Sequence, residues 1–343
     1  MKYKKTTLFF FAYSFTILSF VQAQDFHFSQ FFNSPLLTNP ANTGFIPDAD
    51  YRIGANYRDQ FSSILASPYK TVSVFGDAQV FRDRLDNGWV GLGGVILSDI
   101  AGSGGLRSNK VYASAAYHQL LGESSLLSAG FNVGWVNKVI DPSKLNFPDQ
   151  FDGKFFDSNA PTSVQLASTS INYFDMQVGL NYAYFPTENV YINGGYSLMH
   201  VNQPKETFFS ENYDTSRISM RHTGFVNAIL KVNDRVIINP NAYYSNQAKA
   251  SEMVIGLIAN YNLSGPGGDM QLIAGVYYRA GDAFIPMLGF EIKHISFTFS
   301  YDATTSSLKS FNNGQGATEF GIIKKGFYAK AGGDTRQVLC PRF

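Results

Sequence analysis

Ser296-Phe297-Thr298-Phe299-Ser300-Tyr301-Asp302 sets the period of this chain. Phe297, Phe299 and Tyr301 fall on one side of an extended backbone, and Ser296, Thr298, Ser300 and Asp302 on the other, because strand side chains alternate at about 180° per residue. The same alternation recurs outward in both directions. Met176, Val178, Leu180, Tyr182 and Tyr184 oppose Gln177, Gly179, Asn181, Ala183 and Phe185; Val72, Val74, Ala78 and Val80 oppose Ser73, Asp77 and Gln79; Val190, Ile192, Tyr196 and Leu198 oppose Asn193, Gly195 and Ser197. These runs are about 10–15 residues long, against about five or six for a globular strand and roughly nine to eleven for a tilted strand crossing a bilayer. Run length thus decides against a soluble sandwich or propeller, whose composition would look similar.

Between residues 50 and 330 about fourteen such runs can be laid out, an even number, as single-chain bacterial barrels require. The fold expected is all-β: a transmembrane antiparallel β-barrel. Asp86-Asn87-Gly88, Gly122-Glu123-Ser124, Pro186-Thr187-Glu188 and Asn233-Asp234 read as tight turns, whereas 140–169, 203–215 and 304–315 read as long loops. Short connections at one end and long ones at the other match the periplasmic and extracellular ends of an outer-membrane barrel.

Composition agrees. Charged residues make up only 15% of the 343, aromatics another 15% with 31 Phe and 20 Tyr, and the mean hydropathy is -0.10. A net charge of +1 gives no field that would draw nucleic acid. The chain opens with Lys2, Lys4 and Lys5, an apolar run from Leu8 to Val21, and Val21-Gln22-Ala23, the order of charge, apolar core and small residues that a signal peptidase cuts. Cleavage between Ala23 and Gln24 is expected, with 1–23 as signal peptide, 24–49 as a lead-in or periplasmic plug segment, 50–330 as the barrel and 331–343 as a tail. The apolar run is short of the roughly 20 residues of a spanning helix, and past Ala23 none approaches that length. In hydrocarbon the strands must then close on themselves, since unpaired backbone groups are too costly there.

Chemistry-bearing patterns are sparse. The single cysteine, Cys340, allows no internal disulfide, and five scattered histidines have no metal-ligand spacing. Asp141, Asp149, Asp152 and Asp157 gather in the longest loop without the calcium-loop order. Gly91-Leu92-Gly93-Gly94 lies inside a strand, where glycine serves bending or close packing. No catalytic constellation, cofactor site or small-molecule substrate is expected. Asp77, Arg279 and Asp302 fall on inward positions and read as a hydrogen-bonded interior. Arg at Phe299 or Val178 should cost about 2–4 kcal/mol if these face lipid, and far less at Thr298 or Gln177.

The stretch from Gln24 to Gly44 has no period and carries Pro35 and Pro40, so it cannot be a central strand. It reads Gln24-Asp25-Phe26-His27-Phe28-Ser29-Gln30, then Pro35-Leu36-Leu37-Thr38-Asn39-Pro40-Ala41-Asn42-Thr43-Gly44. This opening resembles that of the PorP/SprF family of type IX secretion membrane proteins. Tyr57-Arg58-Asp59-Gln60, Gly91-Leu92-Gly93-Gly94 with Asp99, Tyr277-Tyr278-Arg279, Ser300-Tyr301-Asp302-Ala303-Thr304-Thr305-Ser306 and Cys340-Pro341-Arg342-Phe343 extend the match. Thr318-Glu319 departs from the His-Glu that the family tends to show. The resemblance implies an outer-membrane barrel of the secretion and gliding machinery. Its partners would be outer-membrane lipid, other secretion components and large adhesin-like surface proteins that it helps export or anchor, with no enzymatic activity. A general diffusion porin is the alternative. Phe28, Ser29, Gln30, Pro35, Asn39, Pro40 and Gly44 are the motif positions for a plug or docking role. The expected placement is across the periplasmic mouth, with Phe28, Phe31 and Phe32 packed on inward aromatics.

Overall fold

The computed structural model describes residues 28–328 apart from 83, 103–104, 210–215 and 266–268; the signal-peptide and cleavage expectations, Ala23 and Gln24 included, and the 331–343 tail lie outside the described residues. The strands are β1 (Tyr51–Gln60), β2 (Tyr69–Val80), β3 (Gly88–Ala101), β4 (Leu106–Leu120), β5 (Ser125–Val139), β6 (Ser170–Thr187), β7 (Val190–Met199), β8 (Arg221–Lys231), β9 (Val236–Gln247), β10 (Ala250–Asn262), β11 (Met270–Arg279), β12 (Ala283–Ile292), β13 (Ile295–Thr304) and β14 (Gln315–Gly326). Each pairs antiparallel with its sequence neighbours, and β1 pairs with β14 from Tyr51↔Gly326 to Gln60↔Ala317, so all fourteen close into one barrel with no free edge. Among the described residues no helix is long and apolar enough to cross a membrane. Closure supplies every ladder hydrogen bond internally, which is the condition for strands in hydrocarbon.

The alternation read from sequence sets the register. Val178, Phe299 and Val72 are exposed on the outer wall, while Gln177, Thr298 and Ser73 are buried toward the lumen. Outward aromatics pair across strands: Phe290 stacks on Phe297 at 5.1 Å and Phe299 lies 4.9 Å from Phe320. Both ends of the barrel chain, Tyr51 and Gly326, lie at the end that carries the connections 121–124, 188–189, 232–235 and 293–294. This is the periplasmic end by the loop-length rule. The opposite, extracellular end carries 140–169 and 200–220.

Boundaries differ from the expected runs where local chemistry intervenes. Pro186 and Thr187 belong to β6 rather than to a turn, because the ladder shifts register between Tyr184 and Thr187 and asks no N–H of the proline. The run expected to start at 216 starts at Arg221, since Glu206 N donates to Ser216 O and Ile218 N to Pro204 O, tying 216–218 to the external loop. Lys293 and His294 form a two-residue hairpin turn in which both φ are positive (48° and 64°).

Candidate functional site: the occupied lumen

Residues 28–46 lie inside the barrel. Ser29, Leu36, Asn39, Ala41 and Thr43 are completely buried. Pro35 opens the short helix α1 (Pro35–Thr38), where its missing N–H and fixed φ suit the first turn. Asn39 Oδ1 accepts from Ala41 N at 2.9 Å and caps the next 3-10 turn, begun by Pro40. This irregular backbone has no ladder, yet buried carbonyls need donors. Inward side chains provide them: Asn56 donates to Asn33 O (2.9 Å), Asn132 to Leu36 O (3.0 Å), Gln177 to Leu37 O (3.2 Å), Ser197 to Thr38 O (2.8 Å), Trp89 to Gly44 O (2.9 Å) and Gln79 to Ile46 O (2.8 Å). His118 Nε2 lies 2.8 Å from Thr43 O; a carbonyl only accepts, so Nε2 carries the proton, and Nδ1 faces Ser128 Oγ at 2.7 Å. The ring lies between Trp89 (4.8 Å) and Phe45 (5.9 Å).

Apolar anchors repeat the pattern. Phe31, Leu36 and Phe45 each enter a separate buried cluster of the wall. Phe31 stacks on Tyr243 at 5.0 Å and Phe32 on Tyr277 at 5.7 Å. Close approach explains some inward glycines. A Cβ on Gly91 would stand 1.8 Å from Thr43 O, and one on Gly179 2.0 Å from Asn39 Oδ1. Gly44 itself has φ +68°, and a Cβ there would meet Gly91 Cα at 2.4 Å.

Charge is concentrated at two levels. Toward the extracellular end, Glu319 accepts from Ser29 N (2.8 Å), Gln30 N (2.9 Å) and Arg58 (3.1 Å). Asp302 accepts from Arg58 (2.9 Å), Arg279 (3.0 Å) and the Ser29 hydroxyl (2.8 Å). The same hydroxyl accepts from Arg58 at 2.6 Å and from Arg279 at 2.5 Å, so its one hydrogen and both lone pairs are used. Toward the periplasmic end, Asp77 takes a two-pronged bond from Arg52 (2.9 and 2.7 Å) and one from Gly44 N at 2.8 Å. Just outside the strands, burial would raise the Asp48 carboxyl, but the Lys325 ammonium beside it holds it below the usual range.

Asp77, Arg279 and Asp302 thus sit inside, each bonded, and all three touch the motif segment. Depth is where placement departs from expectation. Arg58, Arg279 and Asp302 are near the outer ends of β1, β11 and β13, and Trp89 and Gln79 near the periplasmic ends of β3 and β2. The segment therefore runs the length of the lumen, with Phe31 and Phe32 in its outer half, and does not lie across the periplasmic mouth. Its bonding partners are spread along the whole wall, and a stretch without a period carries no sign of depth. Sequence reading names Arg58 and Glu319 only within stretches compared with the family and gives neither a place in the interior. Their signal was available: each alternates with outward apolar neighbours, Tyr57 and Phe320, which puts a lone charge inward. The loop carboxylates Asp149 and Asp152 are turned onto nearby Ser163 and Phe155 backbone N–H groups, and no metal-binding group of side chains occurs among the described residues.

Residues 20–320 match the family of the type IX secretion system membrane protein PorP/SprF. The chain belongs to this family. With its closed barrel it is an outer-membrane protein of the type IX secretion system. No curated protein matches the chain. As a fold, this PorP/SprF barrel is similar to the P. putida toluene transporter TodX, at TM-score 0.51 and 13% identity over 87% of this chain and 95% of that one. It is similar also to a Pseudomonas aeruginosa FadL homologue, at TM-score 0.51 and 12% identity over 85% and 92%. At such identities the likeness is one of architecture alone.

Proposed function

We propose that this chain acts by binding proteins: it helps large adhesin-like proteins reach or stay on the cell surface, with the lumen closed by its own residues 28–46. The observation that carries the reading is that occupancy. A barrel whose inward Asn, Gln, Ser, His and Trp side chains are engaged with its own backbone offers little free lumen for diffusion. Its external loops, 140–169 and 200–220, offer a surface instead. The family points to other secretion components as further partners. Deletion of residues 28–44 is the test. The expected result is a barrel that still inserts, because the ladder is complete without the segment, but that conducts ions or no longer supports surface display. A deleted protein that stays closed and displays its client normally would refute the closure role; open ohmic conductance of the intact protein would favour the general porin.

A further inference from the structure

The segment fills only part of the lumen. Between the periplasmic ends of β8 to β12 and Asp48 a cavity of about 410 Å³ remains. Ile258 and Ile273, which belong to the cluster around Phe31, lie one inward step deeper on the same strands and floor the cavity, which makes it a vestibule at the periplasmic end. Its wall repeats the chemistry that holds the segment. Asn260, Asn262 and Gln271 line it, inward amides of the kind that elsewhere in this barrel donate to irregular backbone carbonyls. Asn260 Oδ1 is a buried acceptor with no partner. Charge adds a sign. Lys231 pairs with Asp234 at 3.3 Å and Lys325 with Asp48. Asp269 has no ion-pair partner among the described residues, Glu291 acts on the already paired Lys325 only from beyond salt-bridge distance, and Arg235 is the cation left among the described lining residues to offset the two.

We infer that this vestibule is the docking site for an extended, cationic polypeptide segment of a periplasmic partner, its backbone held by Asn260, Asn262 and Gln271 and its positive side chains by Asp269 and Glu291. Every strand of the barrel is paired on both sides, so no edge exists for strand addition. Backbone reading must go through side chains, as it does for residues 28–46. A neutral saccharide would use the amides but gain nothing from the charge of Asp269 and Glu291. The cavity admits a few residues of chain and excludes a folded domain.

The inference rests on the protein-binding role proposed above, and its test is separate from surface display. The mature chain, carrying Cys340→Ser and Ile237→Cys, is purified in detergent, and the rate of maleimide reaction at the introduced thiol on the vestibule wall is measured. The probes are blocked hexalysine, blocked hexaglutamate and chitotetraose. Hexalysine should protect the thiol. The added pair Asp269→Asn and Glu291→Gln should weaken that protection about tenfold, the sum of two ordinary partly exposed ion pairs. Asp141→Asn with Asp152→Asn on the external loop should leave it unchanged. If the double variant fails to insert, Asp269→Asn alone, which lies outside the strands, serves with a smaller expected effect. Equal protection by hexalysine and hexaglutamate, protection by chitotetraose alone, or protection by hexalysine only in a chain ended after Tyr328 would overturn the inference. Normal hexalysine protection in a variant that has lost surface display would count against the binding role and leave the vestibule standing.

Discussion

Glu319→Gln should release the outer end of the lumen segment without unfolding the barrel. The Glu319 carboxylate serves two adjacent buried N–H groups, of Ser29 and Gln30, and the Arg58 guanidinium. A glutamine keeps one acceptor oxygen and presents a donor where the other stood. One backbone N–H is then left unpaired in a buried site, at about 1–3 kcal/mol. Arg58 keeps Asp302 but must share it with Arg279, and loss of one member of a buried charge cluster costs about 3–5 kcal/mol. These losses overlap, so about 3 kcal/mol is the working figure, which corresponds to roughly a hundredfold in a local opening equilibrium. Hydrogen exchange read by mass spectrometry on peptides covering residues 28–34 should show about that acceleration. Peptides from β5 and β6, whose ladders Glu319 does not touch, should exchange as in the parent. Unchanged protection at Ser29 and Gln30 would refute the argument that Glu319 holds the segment, and equal loss throughout the barrel would refute its local character.

Phe299→Arg should cost about 2–4 kcal/mol in a bilayer refolding titration, because the side chain faces lipid. Thr298→Arg, expected from sequence to cost far less because a water-filled lumen would tolerate it, should instead cost a comparable ~2–4 kcal/mol, since the filled lumen overpacks and the amides of Gln30 and Asn33 are stranded; a nearly neutral Thr298→Arg would place the segment elsewhere. Leu36→Ala empties a fully buried site against Phe75, Val95 and Tyr112, and should destabilise the segment by about 2–5 kcal/mol, seen as proteolysis within 28–46 of the folded barrel. In the external loop the Ser163 backbone N–H, and then the Ser163 and Thr162 hydroxyls, hold the Asp149 carboxyl below its usual 3.8. A depressed folded pKa means that the loop closure is fully present above the unfolded value and is lost as pH falls through the folded one. Protease sensitivity of 148–163 should therefore rise only in acid below the ordinary carboxylate range, and Asp149→Asn should show that sensitivity at neutral pH. Ala23→Trp should block processing, and mass spectrometry of the parent should find Gln24 first.

The sequence by itself determined the wall. Alternation at Ser296–Asp302 and its repeats fixed which residues face lipid, since a strand period of two admits one register per buried face. Run length and the absence of an edge-tolerant environment called for closure, and loop lengths assign the two ends. Inward placement of Asp77, Arg279 and Asp302 followed from the same parity. What the wall encloses was decided only in three dimensions. Residues 28–46 have no period, so nothing local to them specifies a depth, and the donors that hold their carbonyls come from strands as far apart in sequence as Asn56 and Ser197. Gly91 reads from sequence as a packing glycine in a strand; that it, Gly130 and Gly179 make room for the Thr43, Pro40 and Asn39 of another segment is a fact of their meeting. The Ser29 hydroxyl is the plainest case. It lies between two arginines and an aspartate contributed by β1, β11 and β13, and such a site exists only once the barrel has closed around it.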